Sequence, residues 1–589
     1  MKNKIGIRPT IDGRWGGIRE SLENQTMEMA LNAKKLIEEN VYYADGSKAE
    51  VVISPCTIGG GAEAAKCEEY FITQNVTATL TVTPCWCYGT ETMDLNPITT
   101  KAVWGFNGTE RPGAVYLAAV MAAHAQRGLP AFSIYGEDVC DADSSGITAD
   151  VEEKIIRFAK CALAVGQMRN KAYVGLGSVA MGIGGSFLDG KLMQDYFGIR
   201  AEWVDMTEIL RRIDLGIFDK SDYEKELNWI KTKVKEGKDW NGSAWGQKDF
   251  TREELDKQWE FTAKMTIIIK DIMLGNPKLN ELGFHEEALG RNAIFGGFQG
   301  QRMWTDYKPN ADFAEAILNT TFDWNGKKQP TILATENDNC NGLAMLLGNL
   351  VTGSASIFAD VRTYWSPKAI ERVTKWKPTG LAENGFMHLI NSGAAALDGT
   401  GASKDNNGNS IMKQWWKIKE KDIESMLNAT EFSPANRGYF RGGGFSSSYS
   451  TQGEMPVTLL RVNMVDGIGY TMQIAEGWTV ELPVEVNHNL LYRTDRTWPS
   501  TWFVPRLGEK GFDSVYNVMA NWGANHGAFS YGHIGKDIIT LASMLRIPVS
   551  LHNIADKDIY RPHAWTSFGT KDLENADYRA CKQYGPINK

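Results

Sequence analysis

The sequence predicts an α/β protein in which two parallel-sheet units are followed by a mainly β unit. Three observations support this: strand-like and helix-like segments alternate in the first part of the chain, strand-like runs dominate the rest, and 589 residues exceed what one hydrophobic core supports. A prior of roughly 100–200 residues per domain gives about three or four units. We expect domains at 1–171, 172–351 and 352–589.

The first unit repeats a strand-then-helix pattern. Period-two apolar runs are typical of strands, and apolar residues three or four apart are typical of helices. An acidic first turn near Asp150 indicates the start of the last helix. Predicted strands cover 5–7, 51–53, 78–82 and 130–135, and predicted helices cover 20–39, 62–71, 114–126 and the stretch after residue 150. Such alternation predicts a parallel sheet.

The second unit begins with a strand at 172–174, contains a long charged helix at 251–274, and ends with a strand just before Glu336. Beyond Asp360 the pattern changes. In chain order this part contains a Gly- and Asn-rich segment at 398–410 that predicts a surface loop, a turn at 442–444, and strand-like runs at 457–464 and 470–474. We expect this third unit to be mainly antiparallel β.

Composition excludes some classes of function. The net charge is −8 with 23% charged residues, and no long Lys or Arg run is present, so no nucleic-acid partner is expected. No stretch approaches the ~20 apolar residues of a spanning helix, and Arg8 and Pro9 precede any signal-peptide core, so we expect a soluble, cytoplasmic protein without a membrane partner. Eight cysteines are too sparse for a disulfide scaffold.

Two carboxylates and one imidazole form the strongest candidate site. Glu336 follows the strand-like run 331–335, and Asp360 follows the run 356–359. His526 lies between Asn525 and a glycine, as in a tight loop. Two oxygens and one nitrogen suit a hard divalent cation, and open α/β sheets bind ligands where strands end. Taken alone, carboxylates after strands are more often caps or surface charges than ligands, and a histidine in such a loop is more often a hydrogen-bonded loop residue.

Two other functions compete with a metal enzyme. Residues 175–180 fit the dinucleotide fingerprint G-x-G-x-x-A after a strand, but glycines 182, 184 and 185 interrupt the helix that should follow. A dehydrogenase is therefore an alternative, although a loop that allows close approach fits better. A sugar-binding protein without turnover is the other alternative. Some aromatic residues could pack on a sugar, although a Trp belongs to the core more often; they are Trp86, Tyr88, Trp304, Trp365, Tyr439, Trp498 and Trp502.

Several long motifs together resemble one enzyme family. They occupy residues 82–89, 104–113, 298–302, 334–338, 358–365 and 521–527. In these segments the chain closely resembles the L-fucose isomerase family, and the resemblance runs from Ile5 to Pro586.

That resemblance implies two Rossmann-like α/β domains followed by a mainly β domain, assembled as a homohexamer. It implies a Mn²⁺-dependent aldose–ketose isomerase that converts L-fucose to L-fuculose through a cis-enediolate, the first step of L-fucose degradation. D-arabinose conversion to D-ribulose is expected as well. An alternative is an isomerase for another aldose with the same C2–C4 configuration.

The resemblance also implies roles for individual residues. Glu336, Asp360 and His526 correspond to the metal ligands, and the two carboxylates correspond to the proton-transfer groups, without indicating which takes the C2 proton. Positions that correspond to sugar contacts are Met181, Gln299, Ser392, Tyr439, Trp498 and Asn525, with Trp502 as the alternative to Trp498. Arg14 and Trp86 resemble residues that the family delivers from a neighbouring subunit.

Overall fold

A computed structural model describes residues 2–589 of the chain. The N-terminal unit contains β1 Lys4–Pro9, α1 Glu23–Asn40, β2 Val51–Ile53, α2 Gly61–Thr73, β3 Val76–Thr83, α3 Gly89–Thr92, β4 Thr100–Gly105, α4 Gly113–Gln126, β5 Ala131–Tyr135 and α5 Ala149–Met168. The strands form one parallel sheet in the order β2-β1-β3-β4-β5. The predicted parallel α/β alternation is confirmed.

Sequence reasoning missed β4, whose second residue is charged. Lys101 is buried there, and its Nζ donates to the Thr99 carbonyl at 2.9 Å and lies 3.7 Å from the Asp94 carboxylate. These partners compensate the buried ammonium, so the strand continues through a residue that interrupts the apolar pattern.

The second unit has a smaller parallel sheet and many helices. Its elements are β6 Ala172–Leu176, α6 Gly190–Phe197, β7 Arg200–Val204, α7 Thr207–Leu215, α8 Lys220–Lys233, α9 Asn241–Trp245, α10 Arg252–Leu274, α11 Pro277–Glu281, α12 His285–Leu289, β8 Ala293–Phe298, α13 Trp304–Tyr307, α14 Asp312–Asn319, β9 Phe322–Asp323, β10 Gly326–Lys327, β11 Ile332–Ala334 and α15 Asn339–Thr352. The parallel sheet has the order β11-β8-β6-β7, and β9 and β10 form an antiparallel hairpin. The predicted long helix is α10.

The C-terminal unit is built on antiparallel strands. Its elements are β12 Ser356–Trp365, α16 Pro367–Thr374, β13 Phe386–Ile390, α17 Glu420–Asn428, β14 Glu431–Pro434, β15 Phe445–Ser448, β16 Pro456–Val465, β17 Gly469–Thr479, α18 Val484–Leu491, β18 Ser500–Pro505, α19 Val515–Asn521, β19 His526–Tyr531, α20 Gly535–Leu545, β20 Val549–Leu551 and α21 Leu573–Tyr584. The main sheet has the order β16-β19-β12-β13-β18-β17-β20, and β16 also pairs with β17, which closes six strands into a barrel. The expected antiparallel character is confirmed.

Three local expectations about this unit were wrong. Asp360 does not follow a strand but lies inside β12, because backbone pairing with β13 continues past it to Trp365. His526 is not in a loop but is the first residue of β19. The start of the predicted surface loop is interior, since Asp398 is buried and accepts hydrogen bonds from the Thr321 hydroxyl at 2.6 Å and backbone N–H at 3.0 Å.

Helix α15 joins the second unit to the barrel. It begins just after β11 and packs on β19, β16 and β12. The turn between β11 and α15 therefore lies against the strands that carry Asp360 and His526. None of the helices in residues 2–589 combines the length and the hydropathy that a membrane-spanning helix requires.

Candidate active site

Glu336, Asp360 and His526 come together although they are far apart in sequence. Asp360 and His526 are direct partners in the antiparallel pairing of β12 and β19. Glu336 approaches from the turn after β11. His526 Nε2 lies 3.2 Å from Glu336 Oε2 and 3.3 Å from Asp360 Oδ1. The imidazole is 1% exposed while the Asp360 side chain is 32% exposed, so the cluster is open on the Asp360 side.

The backbone that presents Glu336 is unusual. Glu336 and Asn337 both have left-handed backbones, with φ of 58° and 56°, a conformation that costs an L-residue roughly 1–2 kcal/mol. The Asn337 side chain holds this turn by accepting from the Tyr173 hydroxyl and donating to the Gly177 carbonyl at 3.2 Å. Strain of this kind is concentrated at functional sites.

Asp338 orients the imidazole, and sequence reasoning did not assign it a role. Its Oδ2 accepts from His526 Nδ1 at 2.7 Å and from Arg461 Nη1 at 2.6 Å, and its Oδ1 accepts from the Asn341 N–H at 3.1 Å. The same carboxylate therefore caps α15 and fixes the proton on Nδ1, which leaves Nε2 facing the two other carboxylates. An acid directly before a helix is the signal that could have identified it.

Charge is strongly concentrated around His526. Burial disfavours the charged imidazolium, but hydrogen bonds with Asp338, Asp360 and Glu336 outweigh burial and raise the pKa of His526. Burial likewise opposes ionisation of Asp338, but Arg461 and His526 together lower its pKa below the ordinary value. The carboxylates around His526 therefore favour positive charge at Nε2, which either a proton or a metal ion can supply.

The chemical types of these three side chains suit a divalent metal ion, although their present arrangement is not that of a complete coordination site. Among residues 2–589, no group of three or more His, Cys, Asp or Glu side chains forms a ready-made metal cage. Adjacent ligands of an octahedral ion with bonds of ~2.1 Å are about 3 Å apart. The two distances from Nε2, 3.2 and 3.3 Å, are close to that separation. The carboxylate oxygens and imidazole nitrogen could thus accommodate an ion by small side-chain movements.

Two of the predicted sugar contacts carry unused donors. Within the described residues, Gln299 Nε2 and Trp498 Nε1 are buried and have no hydrogen-bond partner. Such atoms cost free energy unless a water or ligand satisfies them. Tyr439 is exposed and its ring lies 5.7 Å from that of Trp498. By contrast, Trp502 Nε1 already donates to Asn487 at 2.8 Å and its ring stacks on a buried histidine.

The remaining predicted contacts have different surroundings. Asn525 Nδ2 lies 2.9 Å from His526 Nε2, directly beside the cluster. Ser392 is buried. Met181 is exposed in a left-handed turn after β6. Burial raises the pKa of Glu315 to about 8, and this carboxyl accepts from the hydroxyl of Thr335, the residue before Glu336, at 2.6 Å.

Arg14 and Trp86 do not reach this cluster within their own chain. Arg14 is bound to Asp12, with Nη2–Oδ2 at 2.5 Å, and more than half of its side chain is exposed. Trp86 is half-buried in the loop after β3. No hydrogen bond, ion pair or ring contact in residues 2–589 connects either residue to Glu336, Asp360 or His526. Both remain on the carboxyl edge of the first sheet.

The glycine-rich loop after β6 lacks the helix that a dinucleotide site needs. Two short 3₁₀ turns follow it, and α6 begins only at Gly190. Gly177 has a φ of 79°, and a Cβ there would lie 2.5 Å from Gln299 Oε1. The glycine therefore allows Gln299 to approach, and the Ser178 N–H donates to the same oxygen at 3.2 Å. This loop packs against the site instead of cradling a pyrophosphate.

Family models and similar proteins together match the chain over its whole length. Three family models match: "L-fucose isomerase, first N-terminal domain" at residues 2–170, "L-fucose isomerase, second N-terminal domain" at 171–353, and "L-fucose isomerase, C-terminal domain" at 389–553. The L-fucose isomerases of Bacteroides fragilis (strain YCH46) and Phocaeicola vulgatus are each 59% identical over 589 residues, which is 100% of this chain and 99% of theirs. The L-fucose isomerase of Streptococcus pneumoniae serotype 2 is 58% identical over 590 residues, with the same coverage.

Proposed function

The chain belongs to the L-fucose isomerase family and is an aldose–ketose isomerase of fucose metabolism; from this we propose that it converts L-fucose to L-fuculose at the Glu336–Asp360–His526 cluster with Mn²⁺. The observation that carries the proposal is the meeting of two carboxylates at one imidazole nitrogen whose other nitrogen is fixed by Asp338.

Glu336 and Asp360 are the proton-transfer groups in this proposal. Isomerisation of an open-chain aldose requires a base that removes the proton from C2 and an acid–base group that moves protons between O1 and O2. Glu336 Oε2 and Asp360 Oδ1 lie close to the same nitrogen although they come from two different units, so both carboxylates would be near one bound sugar. The resulting intermediate is a cis-enediolate, and proton return to C1 yields the ketose.

The metal ion would be held by Glu336, Asp360 and His526. When bound, it supplies positive charge beside O1 and O2 of the sugar, where negative charge develops. His526 contributes the Nε2 lone pair, since Asp338 and Arg461 fix the proton on Nδ1. Oxygen-rich ligands with one imidazole favour a hard ion such as Mn²⁺.

Gln299, Trp498 and Tyr439 orient the sugar in this proposal. Gln299 Nε2 and Trp498 Nε1 donate to sugar hydroxyls, which satisfies two buried donors. The exposed Tyr439 ring beside Trp498 packs on an apolar sugar face. Ser392, Asn525 and Met181 are proposed as further sugar contacts. Trp498 is preferred to Trp502 because the latter is engaged in the core.

We further propose that the enzyme is a homohexamer in which Arg14 and Trp86 complete a neighbour's active site. Two features support this: the cluster is open at Asp360, and Arg14 and Trp86 lie near the protein surface without contacting the cluster of their own chain. D-arabinose, which shares the C2–C4 configuration, is proposed as a second substrate.

Ketose formation from a panel of aldoses tests the function. The purified enzyme is treated with chelator, assayed, and assayed again after Mn²⁺ is added back. Conversion of L-fucose that disappears with chelator and returns with Mn²⁺ is the expected result. Turnover of L-fucose that persists in demonstrably metal-free enzyme would contradict the metal role, and preference for another aldose would contradict the substrate.

His526→Ala is expected to act mainly through metal affinity. The variant loses one neutral ligand but keeps both carboxylates, so excess Mn²⁺ should restore part of its activity. Bound manganese is measured after gel filtration, with the exposed His563→Ala as the matched control. An unchanged metal content in His526→Ala would show that His526 is not a ligand.

Asp338→Asn is expected to weaken Mn²⁺ binding by about 10–100-fold, because the imidazole loses the charged partner that orients it. It should also destabilise the fold, by roughly 3–5 kcal/mol, because Arg461 stays buried without its carboxylate. The two effects separate in the double variant Asp338→Asn, Arg461→Met. That variant should regain thermal stability but not metal affinity, and recovery of both would reduce Asp338 to a structural role.

A further inference from the structure

A large cleft lies at the amino ends of strands of the two parallel sheets, whereas the Glu336 cluster lies at the carboxyl end of β11. It has a volume of about 920 Å³, within the range of small-molecule sites. Residues that precede β1, β6, β8 and β11 line it, so it opens at the amino ends of these strands. Glu336 follows the carboxyl end of β11, which places the cleft away from the chemistry described above.

The cleft carries two cations without carboxylate partners. No ion pair of residues 2–589 includes Arg169 or Lys171, both of which line the cleft. Lys2, the third cation there, is neutralised by Asp45 at 2.6 Å. Burial, with no opposing charge, lowers the pKa of Arg169 to about 10.

The existing partners of these two cations are neutral. Arg169 Nε donates to Asn588 Oδ1 at 3.0 Å, and its Nη2 donates to the Ile98 carbonyl. Lys171 Nζ donates to Asn292 Oδ1 at 2.8 Å. Arg169 also follows the last turn of α5, whose carbonyl end offers only about half a negative charge. Most of the positive charge is therefore uncompensated, in a protein whose net charge is −8.

The rest of the lining is rich in amides. The cleft is lined by Gln167, Asn170, Asn292, Gln329 and Asn349, together with aliphatic residues such as Ile98, Leu274 and Leu350. Amide groups both donate and accept hydrogen bonds, which suits hydroxyl groups. A phosphate monoester carries a charge of about −1.5 to −2 and strong acceptor oxygens, which matches two uncompensated cations.

We propose that this cleft binds a phosphate group through Arg169 and Lys171, carried either by free phosphate or by a small phosphorylated polyol or sugar. The ligand's hydroxyl groups would contact the surrounding amides. Because residues of both parallel-sheet units line the cleft, the ligand would bridge them. This proposal does not depend on the isomerase proposal.

Isothermal titration calorimetry on the assembled enzyme tests the site, with glycerol 3-phosphate, inorganic phosphate and glycerol as probes. Glycerol 3-phosphate is chosen because it is not an aldose and so is no substrate. We expect saturable binding of at least one phosphate-bearing probe and none of glycerol. Tighter binding of glycerol 3-phosphate identifies an organic phosphate as the source, whereas equal or tighter binding of phosphate identifies the free ion.

Arg169→Gln and Lys171→Gln should each weaken that binding at least about tenfold, the loss expected for one charged hydrogen bond. Lys225→Gln, on the exposed face of α8, should leave it unchanged. Isomerase activity should be unchanged in all three variants. If Arg169→Gln fails to fold, Lys171→Gln alone carries the test, since its Nζ is bonded only to one amide. No saturable binding of either phosphate probe, or binding that Lys171→Gln does not weaken, overturns the proposal.

Discussion

Glu336→Gln and Asp360→Asn are each expected to lower kcat by at least 10²–10⁴-fold at saturating Mn²⁺, the usual contribution of a positioned acid–base group. Each change removes a negative charge beside His526 Nε2 and a proton acceptor at the same time. Weaker metal binding should add to the loss. Steady-state ketose formation from L-fucose, measured across a Mn²⁺ titration, gives both effects separately.

Matched substitutions elsewhere provide the control for these variants. Glu383→Gln and Asp466→Asn remove the same charges at exposed positions and should retain normal turnover. Thermal unfolding should confirm that all four proteins are folded. Near-normal kcat of Glu336→Gln or Asp360→Asn at saturating Mn²⁺ would refute the proton-transfer assignment for that residue.

Mixing two inactive variants should restore activity if active sites are shared between subunits. The double variant Arg14→Ala, Trp86→Ala would lack the cation and aromatic ring supplied to a neighbour, and Glu336→Gln would lack the proton-transfer group. After subunit exchange, about a quarter of randomly paired sites would combine an intact Glu336 with an intact Arg14 and Trp86. Ketose formation should therefore rise from near zero toward that fraction.

Two conditions make the complementation decisive. Each parent must be inactive by itself, and mass spectrometry of labelled chains must show that subunits have exchanged. A mixture of Glu336→Gln with Asp360→Asn is the matched control, because both defects lie in the same cluster and hybrid sites stay damaged. Proven exchange without recovery would place Arg14 and Trp86 outside the neighbour's site.

Local periodicity was sufficient to identify several of the regular elements. Strands β1, β2, β3, β5, β16 and β17 and helices α1, α2, α4, α5 and α10 are found where the apolar patterns predict them. These patterns indicate which face of a segment is buried, and they depend only on residues that are close together in the sequence. Strand β4 was missed because buried Lys101 interrupts its pattern and is compensated only by groups that the fold brings near.

The sequence by itself determined the chemical types at the site: two carboxylates, an imidazole, nearby aromatics, and motifs long enough to indicate the family. Only the tertiary structure decided how they meet. Asp360 and His526 are opposed by the register of β12 and β19, and Glu336 is presented by a left-handed turn that Asn337 stabilises. Asp338 acquires its role only because Arg461 and His526 arrive from distant strands. Pairing register and burial depend on contacts across hundreds of residues, which a local pattern of side chains does not encode.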